Sequence, residues 1–426
     1  MKFYLTLFLS LLFLLTCKGQ SDSFDIVIKD VSIIDTKQQL IIPHKTIYIN
    51  DDRIVKIESF KKSRKTTAKT IINGKGKFLS PGFWDMHIHI CWKDNLDESV
   101  FPVLLNYGIT GVRDMGGSLR ILNAFKQKAK SKPAFYPNVF GPGPILDGEE
   151  PVHPDFSIPL TPGTVKRVLD SLYDNGANFL KVYSLLPKNV LDSIKIYSEK
   201  IKIPFSGHIS EYITPEEAVK LGQKSLEHLN RMEDLTGDGN RLSEFIQLTK
   251  IHTTWICPTL IIYKRKHEIL NGHFEYNDIY ERLDSDLKFE WEQVKKKRQS
   301  KNPGEEEIKI GNKRFENQKK LIKTFYDNKI SFLLGTDFAG MQFVYPGYSY
   351  HEEMELLSNL GISNFDILKM ATYNPTVFLG IDDLYGTVEA NKIADLILFS
   401  ENPAERINSS LKIDLVIKTG KIVRQN

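Results

Sequence analysis

The stretch FLSPGFWDMHIHI, residues 78–90, reads as an apolar strand that ends in two histidines one residue apart. Side chains alternate along a strand, so His87 and His89 project to the same side, about 7 Å apart. Both imidazoles can then reach one cation, and imidazole suits zinc and similar transition metals. A His-x-His pair taken alone also fits a surface or packing role. How the other strands end decides between these readings.

Seven further strand-like stretches follow, at 108–115, 135–140, 179–183, 203–208, 225–228, 252–260 and 331–337. Helical patterns separate most of them, at 164–175, 188–200 and 215–221, with Thr214 as an N-cap before Pro215. Alternating strands and helices of this number predict an α/β fold, a (β/α)8 TIM barrel, whose active site lies at the C-terminal ends of its strands. Five of those ends carry polar residues of ligating type. The first has His87 and His89, the fourth Lys181 in NFLKVY, the fifth His208, the sixth His228 in SLEH and the eighth Asp337 in LLGTD. All therefore fall on one rim.

Lys181, flanked by Phe179, Leu180, Val182 and Tyr183, would be costly to bury as a cation, so it must pair, snorkel or lose its charge. One outcome is an ion pair with a carboxylate such as Asp337. The other is a neutral amine, which reacts with carbon dioxide to give a carbamate able to bridge two cations. Asp337 can bind metal or accept a proton from water, whose pKa a metal lowers from about 15.7 toward about 7. It also fits an N-cap after a strand.

The two ends of the chain differ from the middle. Residues 22–77 and 384–426 alternate in short strand-like runs, which suggests one small β-sandwich built from both ends around a barrel at 78–383. A charged segment at about 264–326 breaks the barrel rhythm. It is read as a helical insertion, either a lid or oligomer contact or a solvated excursion with no catalytic part.

Residues 1–17 combine a lysine, an apolar run from Phe3 to Leu15 and Cys17 followed by polar residues. The run is short for a membrane span and reads as a secretion signal. The placement of Cys17 after LLT resembles a bacterial lipobox, with threonine where a smaller residue is usual. The expected location is therefore exported, either periplasmic or anchored to a bacterial envelope through lipidated Cys17. Only Cys91 and Cys257 remain, both in apolar surroundings, so buried free thiols are expected, although the sequence also allows a bridge.

A 41% hydrophobic, 26% charged chain of 426 residues has the material for a large core. A net charge of +4 is too small to argue for nucleic acid, and the basic run at 61–65 lacks interleaved aromatics.

Taken in order, PGFWDMHIH, GITGVRDMGG, GANFLKVY, GH at 207–208, SLEH, LLGTD and GTVEANKIADLILF resemble the amidohydrolase superfamily, in its imidazolonepropionase-like and Xaa-Pro dipeptidase-like branch. The resemblance covers nearly the whole chain after the signal. It implies a binuclear centre of two divalent ions, usually zinc, with His87, His89 and Asp337 on one and His208 and His228 on the other. N6-carboxylated Lys181 would bridge them. A metal-bridging hydroxide would attack an amide, peptide or cyclic amide carbonyl, with Asp337 as general base. Ester or lactone substrates also fit such chemistry.

Further residues are candidates for substrate. Arg113, beside Asp114, could bind substrate, orient ligands or form an internal salt bridge. Tyr183 and Tyr263 could hydrogen-bond a carbonyl or pack with satisfied hydroxyls. His153 sits on the loop after the third strand, which lacks the Gly-Gly-His pattern of dipeptidase-like members. Two rival readings stand beside the hydrolase. One is a mononuclear deaminase using His208 and Glu211 in His-x-x-Glu spacing. The other is an anchored, non-catalytic binding protein, which the intact ligand set argues against.

Overall fold

The computed structural model describes residues 23–63, 66–94, 96–276, 278–283, 285–299 and 304–425. Residues 1–17, expected to be a signal segment ending in Cys17, lie outside the described residues. Among those described, no helix is long and apolar enough to cross a membrane.

A (β/α)8 barrel forms the centre. Its first strand, Phe83–Ile88, is buried along its whole length and pairs in parallel with Ile109–Asp114, which pairs with Asn138–Phe140. The next four strands, Leu180–Val182, Phe205–Gly207, Ser225–Glu227 and Trp255–Cys257, continue in parallel order. The eighth position, at 331–337, forms no regular strand and closes the ring through single bridges, Ile256 to Phe332 and Ile88 to Phe338. Leu333 N–H donates to Ile256 O at 2.9 Å, and Met86 N–H to Leu334 O at 2.9 Å. Gly335 permits that closure, because a Cβ there would come within 2.7 Å of both Cys257 Sγ and His87 Cβ.

The third position departs from the expected single strand at 135–140. After Asn138–Phe140 the run Gly141-Pro142-Gly143-Pro144 interrupts pairing, since proline offers no N–H. A separate short strand, Ile145–Asp147, then takes the place beside Leu180–Val182.

Helices match their signals closely. Val165–Asp174 follows Thr164, Lys188–Ile201 spans its predicted run, and Pro215–Lys220 starts with a full capping box. There Thr214 Oγ1 accepts from Glu217 N–H at 3.2 Å, and Glu217 Oε2 accepts from Thr214 N–H at 2.9 Å. This fixes the loop that leaves His208.

Both ends of the chain share one eight-stranded sheet. The bent strand Ser23–Asp35 pairs with Leu40–Asn50, Thr67–Asn73 and Phe78–Pro81, and the last of these pairs with Leu396–Phe399. A core of its own, including Ile28, Ile47, Leu396 and Ile417, is fully buried. The sheet thus takes in Phe78–Pro81, just beyond the expected boundary at 77.

The segment at 264–326 holds parts of three helices, Leu260–Leu270, Ser285–Gln299 and Glu305–Asp327. It is not simply solvated. Trp291 is buried against Phe343 at 5.2 Å and Tyr345 at 5.7 Å between ring centroids, on the loop that follows Asp337.

Candidate metal centre

The strand ends bring His87, His89, Lys181, His208, His228 and Asp337 to one buried rim. His87 Nε2 and His89 Nε2 each lie 3.3 Å from Asp337 Oδ1. The His87 ring stands 4.5 Å from His228, and His228 stands 4.9 Å from His208. His228 and Asp337 both adopt left-handed backbone angles, φ 63° each, which non-glycine residues keep only where the surroundings impose it.

Each imidazole is held by its Nδ1, which leaves Nε2 for the centre. His87 Nδ1 lies 2.8 Å from Glu227 Oε2, His89 Nδ1 3.1 Å from Gly116 O, His208 Nδ1 3.1 Å from Ser184 Oγ and His228 Nδ1 2.6 Å from Thr259 Oγ1. Metal-binding histidines are characteristically fixed in this way. His87 Nε2 and Lys181 Nζ are buried and have no hydrogen-bond partner, a costly state for polar groups unless something else meets them. His87 Nε2, His89 Nε2 and a carboxylate oxygen of Asp337 lie close enough together to hold one ion. The donor set fits divalent cations.

Charge follows the same plan. Burial opposes ionisation of Asp337, but His228, His87 and His89 outweigh it and hold the carboxyl well below its usual range. Burial pushes the Lys181 ammonium down to about 8, against the pull of Glu227 and Asp337. Burial also pushes His208 and His228 well below the ordinary histidine range, toward the uncharged form in which an imidazole binds metal.

An aromatic wall lines one side. The Tyr183 ring stacks on His208 at 4.0 Å and its hydroxyl meets His153 Nε2 at 3.1 Å. Trp92 packs against His89 at 4.4 Å and His153 at 5.6 Å. His153 and Tyr183 therefore stand beside the centre. Tyr263 stands further out. Its hydroxyl accepts from Leu229 N–H at 3.1 Å and donates to Asn230 at 3.0 Å, so it is satisfied within the fold. Its ring borders a cavity of about 510 Å³ shared with Asn230, Glu233, Phe315 and Gln318.

Arg113 is placed differently from a substrate ligand. It is fully buried inside the barrel and donates to Met86 O at 2.6 Å, Ser225 Oγ at 2.9 Å and Glu227 at 2.8 Å. Among its possible roles, the internal salt bridge, to Glu227, is present. Glu211 is exposed, and only its backbone is anchored, N–H to Ser184 O at 2.8 Å. The acid–base residue of the deaminase reading is thus exposed, unlike the buried histidines and Asp337. Cys91 and Cys257 are buried free thiols.

The amidohydrolase family model matches residues 78–423, the barrel together with the C-terminal strands. The chain belongs to the amidohydrolase family. It is accordingly a hydrolase of carbon–nitrogen bonds, from a family that is typically metal-dependent. Solved structures share the fold at low identity. A Xaa-Pro dipeptidase with bound methionine in the active site is 20% identical, with a TM-score of 0.72 over 94% of this chain and 100% of that one. A putative prolidase from Bifidobacterium longum is 18% identical, with a TM-score of 0.73 over 93% and 94%. Bottromycin amidohydrolase is 18% identical, with a TM-score of 0.73 over 93% and 86%. A comparison with curated proteins found no match.

Within this amidohydrolase, sequence reading passed over Glu227, Ser184, Thr259 and Trp92. Only Glu227 left a signal. Ser225 and Glu227 share one face of a short strand, and a buried glutamate demands a cation. Ser184, Thr259 and Trp92 look like ordinary loop or packing residues until the fold brings them to the histidines.

Proposed function

We propose that this amidohydrolase is an exported enzyme that hydrolyses amide or peptide C–N bonds in small substrates at a binuclear centre. The observation that carries the reading is the meeting of four imidazoles, one carboxylate and one unpartnered buried amine, each imidazole held by its Nδ1. His87, His89 and Asp337 would hold one cation and His208 and His228 the other, with zinc the metal to try first. Lys181, as its carbamate, would join them. Its amine is enclosed, has no hydrogen-bond partner and is lowered to about 8, which brings the neutral form that adds to carbon dioxide, with loss of a proton, far closer to neutral pH than in an ordinary lysine. Bound cations supply Lewis acidity, which polarises a carbonyl and makes water easier to deprotonate.

The remaining work belongs to side chains. Asp337 accepts the proton of the attacking water at a carboxylate oxygen and returns it to the departing nitrogen. Tyr183, its hydroxyl held ionisation-resistant by burial, and His153 offer hydrogen bonds on the open side. The dipeptidase and prolidase structures that share the fold support small peptides as the first substrates to test. The apolar run before Cys17 supports export, with lipidation at Cys17 as the anchor.

The test is a panel of dipeptides, Xaa-Pro peptides, N-acyl amino acids, lactams and lactones, offered to zinc- or manganese-loaded protein and to metal-free protein. Turnover should require metal and should vanish in Asp337→Asn at equal metal content. Unchanged hydrolysis by that variant defeats the assigned base, and equal turnover without metal defeats the whole reading.

A further inference from the structure

We propose that Arg113 and Glu227 form a positioning pair that fixes the tautomer of His87 and makes the cation position at His87, His89 and Asp337 the tighter of the two. The inference rests on the two-cation reading above and ranks its two halves.

The four imidazoles are not held alike. His89 leans on a backbone carbonyl, and His208 and His228 lean on the hydroxyls of Ser184 and Thr259. Thr259 donates its own proton to Pro258 O at 2.8 Å and so accepts from His228. His87 alone has a carboxylate behind it, Glu227 Oε2 at 2.8 Å. An ionised carboxylate can only accept, so the proton sits on His87 Nδ1 and the Nε2 lone pair faces the centre. Such a partner raises the basicity of a ligating imidazole more than a neutral acceptor does.

Glu227 can act this way because its own charge is met. Arg113 reaches both of its oxygens, at 2.8 and 2.9 Å, and Ser225 Oγ donates to Oε1. Arg113 is in turn anchored to Met86 O in the strand that carries His87, and its guanidinium lies 5.0 Å from the Phe378 ring centre. Carboxylate, guanidinium and imidazole are all fully buried. The arrangement also explains why His87, Glu227 and Cys257, although close enough to hold an ion, are not a third site. Both Glu227 oxygens are already occupied.

The experiment titrates the metal-free full chain with zinc against a chromophoric chelator and repeats the titration with cobalt, following its visible absorption. Wild type should take up two equivalents in two resolved steps. Glu227→Gln should weaken the tighter step on the order of 10- to 100-fold and leave the weaker one in place. Thr259→Ala should move only the weaker step. Two-equivalent binding with both affinities kept in Glu227→Gln overturns this proposal alone, as does loss confined to the weaker step. A wild-type chain that binds no cation overturns the two-cation reading and this proposal together. Glu227→Gln leaves Arg113 buried without a counter-charge and risks misfolding. The double variant Arg113→Met, Glu227→Gln removes both charges and should show the same selective loss. Nitrogen-15 spectra of the wild-type histidines give an independent readout. An Nδ1-protonated His87 supports the proposal, and an Nε2-protonated one overturns it.

Discussion

His351 ties the barrel to the C-terminal tail, and its protonation should cost stability in a narrow range of pH. Its Nε2 lies 3.1 Å from Tyr107 O, at the end of a barrel helix, and its Nδ1 lies 2.7 Å from Ser410 Oγ. A neutral ring serves both, donating to the carbonyl and accepting from the hydroxyl. Burial, together with nearby Arg424, pushes its pKa from 6.5 down to about 4, although the Tyr107 carbonyl pulls the other way. The unfolded chain therefore binds more protons than the folded one between those values. The stabilising contribution is complete above pH 6.5 and is lost as pH falls toward 4. At about 1.36 kcal/mol per unit, the 2.5-unit gap is worth about 3 kcal/mol in all, of which about 2.5 has gone by about pH 4.5. His351→Gln keeps a donor and an acceptor but does not titrate. Urea unfolding of both proteins at about pH 7.5 and about pH 4.5 should show wild type losing about 2.5 kcal/mol more than the variant. Parallel losses would refute the reasoning.

Other expectations concern the centre and its supports. Glu353, buried, accepts the N–H groups of Leu260 and Ile261 at 2.8 and 2.6 Å, just after the threonine that holds His228. Glu353→Ala should cost about 2–4 kcal/mol in urea unfolding, since it removes a helix cap and orphans two buried donors. Chelation should lower the melting temperature and zinc should restore it, with about 2.7 kcal/mol gained at a hundredfold excess over Kd. A melting curve indifferent to both would count against the metal site. Glu211→Gln should leave kcat on any substrate found unchanged, because that side chain is exposed. Cys91 and Cys257 should react with a thiol reagent only on unfolding, and each should be found free by mass spectrometry.

The strand-terminal residues were legible because each is a local signal, an abrupt polar residue after an apolar run. His89 and Asp337 sit where apolar runs stop, His208 and His228 close short strand-like stretches, and barrel geometry gathers such ends without further information. The capping box at Thr214 was legible for the same reason. Features that depend on distant partners were not. Glu227 meets its histidine across 140 positions in sequence, and Arg113 meets Glu227 across 114. Trp291 sits in a heavily charged helix whose buried face shows only when 343–345 pack against it. The strand Ile145–Asp147 escaped because it is only three residues long and follows two prolines, which periodicity alone reads as loop.

The shared sheet has a practical consequence for anyone trimming this protein. Lys421–Gln425 is an edge strand of that sheet, so a tag added after it would extend from an edge. Cutting back past Ile413–Lys418 would instead bare the edge of Leu396–Phe399 together with the greasy faces of Leu396 and Leu398. An uncovered strand of that kind recruits a neighbour's strand, so shortened versions should precipitate or swap ends rather than yield a smaller working enzyme.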